Sequence, residues 1–382
     1  MHTSDSIRRM SSRVVAISVC AAFVICAMPL RASARQATPG TRGYAAATAG
    51  WNAIRDGRNQ DAADAFAIAL DAEPRDPSLH LGAGLAAFLL GRQTDAKYSL
   101  QRALELAPSL TAASLLLGDI LYRGSDIAGA IQVYEAALKY APGDKTLNER
   151  LASLKQEAAV HSDFFQASGT HFTVLFEGPA DEALASRALE ILEAGYWRVS
   201  TALALYPEGV ITVVLYTQEQ FRDVTRSPDW AAAAYDGRIR IPVRGAETNS
   251  QEFERVLVHE FTHALIHSVA PRGVPTWLHE GLAVMFEPDG AAWSEGELAQ
   301  FKGRLPLAAL GGSFSSFSTA DARLAYAESA GVVHALFDAG GAAGVGAMLQ
   351  DLARGETFAE AFERRMFMTY DDFAGSWVAM AR

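Results

Sequence analysis

The sequence predicts a multidomain protein, an all-α solenoid of stacked helix pairs followed by an α+β domain that ends in a helical lobe. Three observations lead there. A period of 34 residues runs over 43–144, β-branched and aromatic runs separated by a long helical pattern begin at His171, and apolar helical periodicity continues from Pro288 to the C-terminus. At 382 residues, half of them hydrophobic, the chain is long enough for two or three domains with cores of their own.

Arg8, Arg9 and Arg13 precede an apolar stretch from Val14 to Leu30 and then Ala32-Ser33-Ala34, the pattern of a secretory signal with a small-residue cleavage site. Residues 1–34 are expected to be removed, which would leave an exported, periplasmic or secreted protein with no membrane span. An uncleaved signal acting as a membrane anchor is the alternative. Hydrophobic residues do not follow Arg8-Arg9 closely enough for a twin-arginine signal, so the general secretory route is expected. Cys20 and Cys26 both lie in this stretch, neither after a small residue, so the processed chain has no disulfide and no thiol chemistry. Removal of the leader takes the net charge from −11 to −14, which argues against nucleic acid as a partner.

The repeat is carried by Gly50, Gly84 and Gly118, by Ala62, Ala96 and Ala130, by Ala69, Ala103 and Ala137, by Leu70, Leu104 and Leu138, and by Pro74, Pro108 and Pro142. Each block reads as two helices with small residues where they touch, a larger apolar residue at Phe66, Leu100 or Tyr134, and a proline that ends the second helix. The turn residues Gly57, Gly91 and Gly124 are spaced 34 and then 33, so the third block is expected to turn differently. Lys145 to Val160 reads as a polar helix capping the open end, which makes 43–160 the first domain and 161–382 the second. Period and residues resemble tetratricopeptide repeats. The resemblance implies a concave surface for a peptide or protein partner, with a rigid spacer packed on the next domain as the other reading. Because each helix pair buries its apolar face against its neighbours, deletion of 43–144 is expected to leave the second domain folded.

In the second domain His171 to Phe176 and Val210 to Tyr216 read as strands, with a helix from Asp181 to Leu205 between them. Arg238-Ile239-Arg240-Ile241-Pro242 alternates polar and apolar and carries a proline, which predicts an edge strand. Helical periodicity returns through 322–337, 342–352 and 358–362.

Two segments carry chemistry: His259-Glu260-Phe261-Thr262-His263 and Trp277-Leu278-His279-Glu280-Gly281. Asn249 and Glu252 mark a helix start, and Phe253, Val256, Leu257, Phe261, Ala264 and Leu265 recur at helical spacing. On that helix each residue advances about 100°, so His259 and His263 lie about 40° apart and both imidazoles reach one ion. Glu260, displaced one residue, is suited to deprotonate a water at the open position and is a base, not a ligand. Glu280 is a candidate third ligand, since Pro271, Gly273 and Pro275 can reverse the chain between the segments.

These segments resemble the gluzincin clan of zinc metallopeptidases, with thermolysin and the zinc aminopeptidases as its best-known members, and more narrowly the bacterial peptidase MA-like domains, over 165–380. The resemblance implies a zincin-like α+β catalytic domain, Zn2+ as cofactor, His259, His263 and Glu280 as ligands and Glu260 as base. Trp277, Gly281 and Ala283 fit the motif around the ligand glutamate. One departure is Val284, where thermolysin has an aspartate that orients a ligand histidine. Glu287, about 20° from Glu280 on a continued helix, can take that role; a solvated helix end before Pro288 is the alternative. The resemblance further suggests that Gly237, Arg238, Ile239, Arg240 and Ile241 bind extended substrate by strand addition, with a plain sheet edge as the bland reading. Tyr326 is the candidate oxyanion donor, ahead of His334, with another tyrosine such as Tyr235 as the alternative and a packed helix residue as the bland reading of each. His267 is expected at the rim, and His279 to point away. The whole implies an exported zinc peptidase acting on a peptide or protein substrate. Absence of a Gly-x-Met-Glu-Asn type segment, which marks the aminopeptidases of the clan, leans toward endopeptidase action. The rival is a non-enzymatic repeat protein with a structural zincin lobe, against which the intact Glu260 and ligand set weigh.

Overall fold

The computed structural model describes residues 42–178, 181–207, 209–225, 234–235, 237–243, 250–301, 304–314 and 317–379. The expected leader, with Cys20 and Cys26, and the helix-start residue Asn249 lie outside them. Three helix pairs come first: α1 (Arg42–Arg55) with α2 (Asn59–Ala72), α3 (Pro77–Leu89) with α4 (Gln93–Leu106), and α5 (Thr111–Arg123) with α6 (Ile127–Leu138). The repeating glycines are explained by what lies beside them. A Cβ at Gly50 would come within 2.9 Å of Phe66, one at Gly84 within 2.8 Å of Leu100, and one at Gly118 within 2.2 Å of Tyr134. In each pair the first helix therefore gives up its side chain to admit the large residue of the second, while Ala62, Ala96 and Ala130 are fully buried.

The third inter-helix turn does not differ from the other two, contrary to the glycine spacing. Gly57, Gly91 and Ser125, spaced by 34, all have positive φ, at 76°, 74° and 66°. Each donates its N–H three residues back, and the following residue donates five back, as in Arg58 to Ala53, Arg92 to Ala87 and Asp126 to Leu121, each 2.9 Å. The equivalent of the turn glycine is thus Ser125, and Gly124 merely precedes it. A serine in this region costs about 1–2 kcal/mol. Its hydroxyl lies 2.6 Å from that of Thr212 in the second domain.

Helix α7 (Lys145–His161) starts at Asp144, whose side chain accepts from the N–H of Leu147. Strands β1 (Phe164–Ser168), β2 (Phe172–Glu177), β3 (Ile211–Tyr216), β4 (Ala234–Tyr235) and β5 (Ile239–Pro242) form one sheet in the order β1-β2-β3-β5-β4. Strands β2, β3 and β5 are parallel, and the outer strands β1 and β4 run antiparallel to them. Val174, Val213, Leu215, Ile239 and Ile241 belong to the main core together with α8 (Glu182–Leu203) and α10 (Ser250–Val269). Val214 and Tyr216 point the other way, toward Phe221 of α9 (Gln218–Thr225) and Val160 of α7. Helix α7 does cap the solenoid, burying Leu147 and Leu154 against Tyr134 and Ala137 of α6, and its other side meets α9 and the sheet through Val160.

The edge assignment needs correction. Of Gly237, Arg238, Ile239, Arg240 and Ile241, the central Ile239 and Arg240 do not lie on an open edge, because they are held between β3 and β4, with Ala234 opposite Arg240 and Tyr235 opposite Ile239. Arg238, Ile239, Arg240 and Ile241 are all buried. Pro242 is tolerated because β4 stops short of it, while the neighbouring Val243 N–H still donates to Tyr216 at 2.8 Å.

After α10 come α11 (Thr276–Phe286), α12 (Gly290–Leu298), a single 3-10 turn at Leu307–Leu310, α13 (Thr319–Ala353), α14 (Phe358–Met366) and α15 (Tyr370–Ala379). Helix α13 joins the two segments expected at 322–337 and 342–352 end to end, with a break at Gly341, whose φ is 71° and ψ 160°. It is long and apolar enough to cross a membrane, yet it is the core helix of this lobe, lying against α11 and α12.

Candidate metal centre and active site

Helix α10 is buried almost all round, since it runs between the sheet, α8 and α11. Phe261 packs against Phe172 and Tyr196 with ring centroids 5.4 Å and 5.8 Å away, and this fixes the face that carries His259 and His263. The chain then turns through Gly273, at φ 80°, and returns as α11. Trp277 anchors the start of α11 between Phe358 and Tyr370. Gly281 lets α13 approach: a Cβ there would lie 2.3 Å from the carbonyl oxygen of Ser329. Glu280, next to that contact, is thereby aimed at α10.

Three side chains converge. Nε2 of His259 lies 3.1 Å from Nε2 of His263, and Oε2 of Glu280 lies 3.6 Å from the first and 3.3 Å from the second. Ligand atoms at about 2.0–2.1 Å from a tetrahedral zinc are about 3.3–3.4 Å apart, so this triangle is one face of such a coordination shell. The outer nitrogens explain which groups face inward. Nδ1 of His259 donates to Oε1 of Glu287 at 2.7 Å, leaving Nε2 as a lone pair, and Nδ1 of His263 lies 3.3 Å from Nδ1 of His279. Two imidazole lone pairs and a carboxylate oxygen facing one another in a buried space call for a cation, and this donor set suits zinc.

The electrostatics draw positive charge to this point, where a proton on Nε2 of His259 and a cation bound to its lone pair are alternatives. Burial works against an imidazolium at His259, yet its contacts with Glu280 and then Glu287 outweigh this and raise it to about 10. Burial would raise Glu280, but the charge of His263 and the contacts from both histidines bring it down to about 2. The pocket thus favours positive charge among these groups.

Glu260 is fully buried and neither carboxylate oxygen has a hydrogen-bond partner among the described residues. Burial pushes its carboxyl above the usual range, against the opposing pull of His263 and His259. An unpartnered buried carboxylate beside a candidate metal centre is one whose partner is to be a ligand or water.

Glu287 is not on the helix as the sequence suggested. It is the C-cap of α11, with extended backbone at φ −62° and ψ 153°, and from there its buried side chain swings to His259. Arg255 clamps it, with Nη1 3.1 Å from Oε1, and is itself held by Glu252. Val284, at the position four after Glu280, is packed into the core. His279 does not point away, since it meets His263, and burial holds its imidazole neutral, lowered to about 3. Sequence reasoning missed His279 and Arg255. Arg255 had a signal, one helical turn before His259 on the same face.

Tyr326 is buried with its ring 6.4 Å from that of His259 and Phe314 edge-on behind it. Burial, then Glu280, Glu260 and Glu287, raise its hydroxyl well above 10, so it keeps its proton. His334 is elsewhere. Two turns further along α13 its half-exposed ring sits 3.9 Å from Glu295. Tyr235, on the edge strand β4, packs against His267 at 5.6 Å.

Residues 200–380 match the model of the Peptidase MA superfamily, and 48–111 and 94–145 match that of a tetratricopeptide repeat. The chain is similar to interferon-induced protein with tetratricopeptide repeats 3 of Mus musculus, 30% identical over 106 residues, which cover 27% of this chain and 26% of that one. It thus spans about a quarter of that relative. Among solved structures it is similar to the first TPR of Spaghetti (RPAP3) bound to HSP90 peptide SRMEEVD, with TM-score 0.30 and 23% identity over 31% of this chain and 96% of that one. The chain carries tetratricopeptide repeats followed by a Peptidase MA superfamily domain.

Proposed function

We propose that the protein is an exported zinc-dependent peptidase, with endopeptidase action on an unstructured protein or peptide. The observation that carries this reading is the convergence of His259, His263 and Glu280 on one buried point, beside the unpartnered carboxylate of Glu260. His259, His263 and Glu280 would hold the ion, with Glu287 and His279 orienting the two imidazoles. Bound there, zinc supplies Lewis acidity toward the scissile carbonyl and acidifies water. Glu260 takes the proton of the attacking water at a carboxylate oxygen and later returns it to the leaving amine; its raised pKa suits both transfers. Tyr326, protonated at any working pH, donates its O–H to the developing oxyanion. The substrate backbone pairs along the outer strand β4 and not with Ile239 and Arg240, whose two sides are taken by β3 and β4. The repeats offer a surface to a protein or peptide partner, and the leader-like residues 1–34 support export.

The test is Glu260→Gln, which keeps size but cannot accept the proton. Zinc content should equal that of the parent, and hydrolysis of a casein-like protein should fall by about 10²–10⁴-fold. Retained turnover would remove Glu260 from the mechanism.

A further inference from the structure

The junction between the repeats and the sheet contains a buried ionic cluster that the chemistry above does not use. Glu157, on the inner side of α7, is buried together with Arg238 and Arg240 of the sheet. Its Oε1 accepts from Nη1 of Arg238 at 3.0 Å and from Nη2 of Arg240 at 2.9 Å, and its Oε2 accepts from the hydroxyl of Tyr122 at 2.9 Å. Arg240 also donates to the Tyr216 hydroxyl at 2.6 Å, and His161 lies 2.7 Å from the same oxygen. The Tyr122 ring covers Arg238 at 5.1 Å, and Ser125 reaches Thr212 across the same junction.

Ion pairs of this kind are weak evidence for stability, since desolvation offsets their attraction, but they impose one geometry. Here that geometry bears on β5. Both arginines point from one face of the strand, so the carboxylate that joins them fixes the twist and height of β5 against α7. Among the described residues β4 is the outer strand of the sheet on this side, pairs with β5 and borders α10.

We propose that Glu157 is a positioning residue for the substrate cleft: by clamping Arg238 and Arg240 it sets β5 and the edge strand β4, so that the inner end of the solenoid is built into the cleft. The substrate half of this rests on the peptidase reading above. It extends that reading by naming a residue 77 or more positions before the edge it controls.

The experiment uses the full chain with Glu157→Gln, which leaves volume and removes the charge that both arginines share. Three quantities are measured: zinc content, kcat and KM on a long unstructured peptide and on a short blocked reporter, and amide exchange in β4, β5 and α10. Zinc should be unchanged, kcat/KM on the long peptide should fall about 10–100-fold mainly through KM, and the reporter should keep its kcat. Exchange should rise in β4 and β5 and stay constant in α10. Glu157→Asp should restore part of the loss. If Glu157→Gln does not fold, Tyr122→Phe takes its place, since it removes the hydroxyl that donates to Glu157 and accepts from Arg240 while keeping the ring over Arg238. Equal losses on both peptides, or exchange that rises evenly through the domain, would overturn the proposal and leave a structural buttress. If the parent cleaves neither peptide, the peptidase reading fails, and the exchange pattern alone decides the positioning role.

Discussion

At Nδ1 of His259 the carboxylate of Glu287 does two things: it selects the tautomer whose lone pair faces His263 and Glu280, and it places negative charge behind the site. His279 is the corresponding neighbour of His263, but neutral, so the two imidazoles are supported unequally. Loss of Glu280 should therefore differ in kind from loss of Glu287. Glu280→Ala is expected to come off a competing chelator without zinc, because two protein ligands hold it poorly, whereas Glu287→Ala should weaken binding by about 10–100-fold. If Glu287→Ala proves the more damaging, the ligand role passes to Glu287. The candidate ligands were legible because i, i+4 spacing on a helix is local. Val284 left the orienting group open, and Glu287 fills it only because α11 ends before Pro288 and the chain turns back toward Arg255.

Between elements, close approach decides the details. Helices α11 and α13 meet at Gly281, and Gly281→Ala must push Ser329 away. The expected cost is about 1–3 kcal/mol in denaturant unfolding, with lower zinc affinity because Glu280 moves with the helix. An unchanged unfolding midpoint would show that α13 yields freely. At the third inter-helix turn two effects of Ser125 oppose each other, since its backbone is strained but its hydroxyl meets Thr212. Ser125→Ala keeps the strain and loses the bond, for a loss of about 1 kcal/mol. Ser125→Gly loses both and should be nearly neutral, and the pair of midpoints checks the balance. The 34-residue period located the helix pairs, whereas the shift from Gly124 to Ser125 was invisible until the turn's hydrogen bonds identified the equivalent residue.

For the whole molecule the inner end of the solenoid is hydrogen-bonded into the sheet of the second domain. Deletion of 43–144 removes Tyr122 and Ser125 from the junction, and deletion of 43–160 also removes Glu157, which leaves Arg238 and Arg240 without their shared carboxylate. Breaking a buried pair costs about 3–5 kcal/mol against a total stability of about 5–15 kcal/mol. A chain starting at 161 is therefore expected to aggregate or to elute without zinc, whereas deletion of 43–144 alone keeps Glu157 with its two arginines. Size exclusion and zinc analysis of that fragment check this, and a soluble, zinc-loaded monomer would refute it. By itself the sequence determined what periodicity can carry: the helix pairs from a 34-residue repeat, the histidines on one helical face, and the strands from their β-branched runs. Only the tertiary structure decided that β4 and not β5 is the edge, that Arg238 and Arg240 face α7, and that the helix capping the solenoid also packs on the second domain. The physical reason is distance along the chain. Glu157 and Arg240 are 83 residues apart and an ion pair between them leaves no local pattern, whereas a strand reads the same at an edge or inside a sheet until its partners are known.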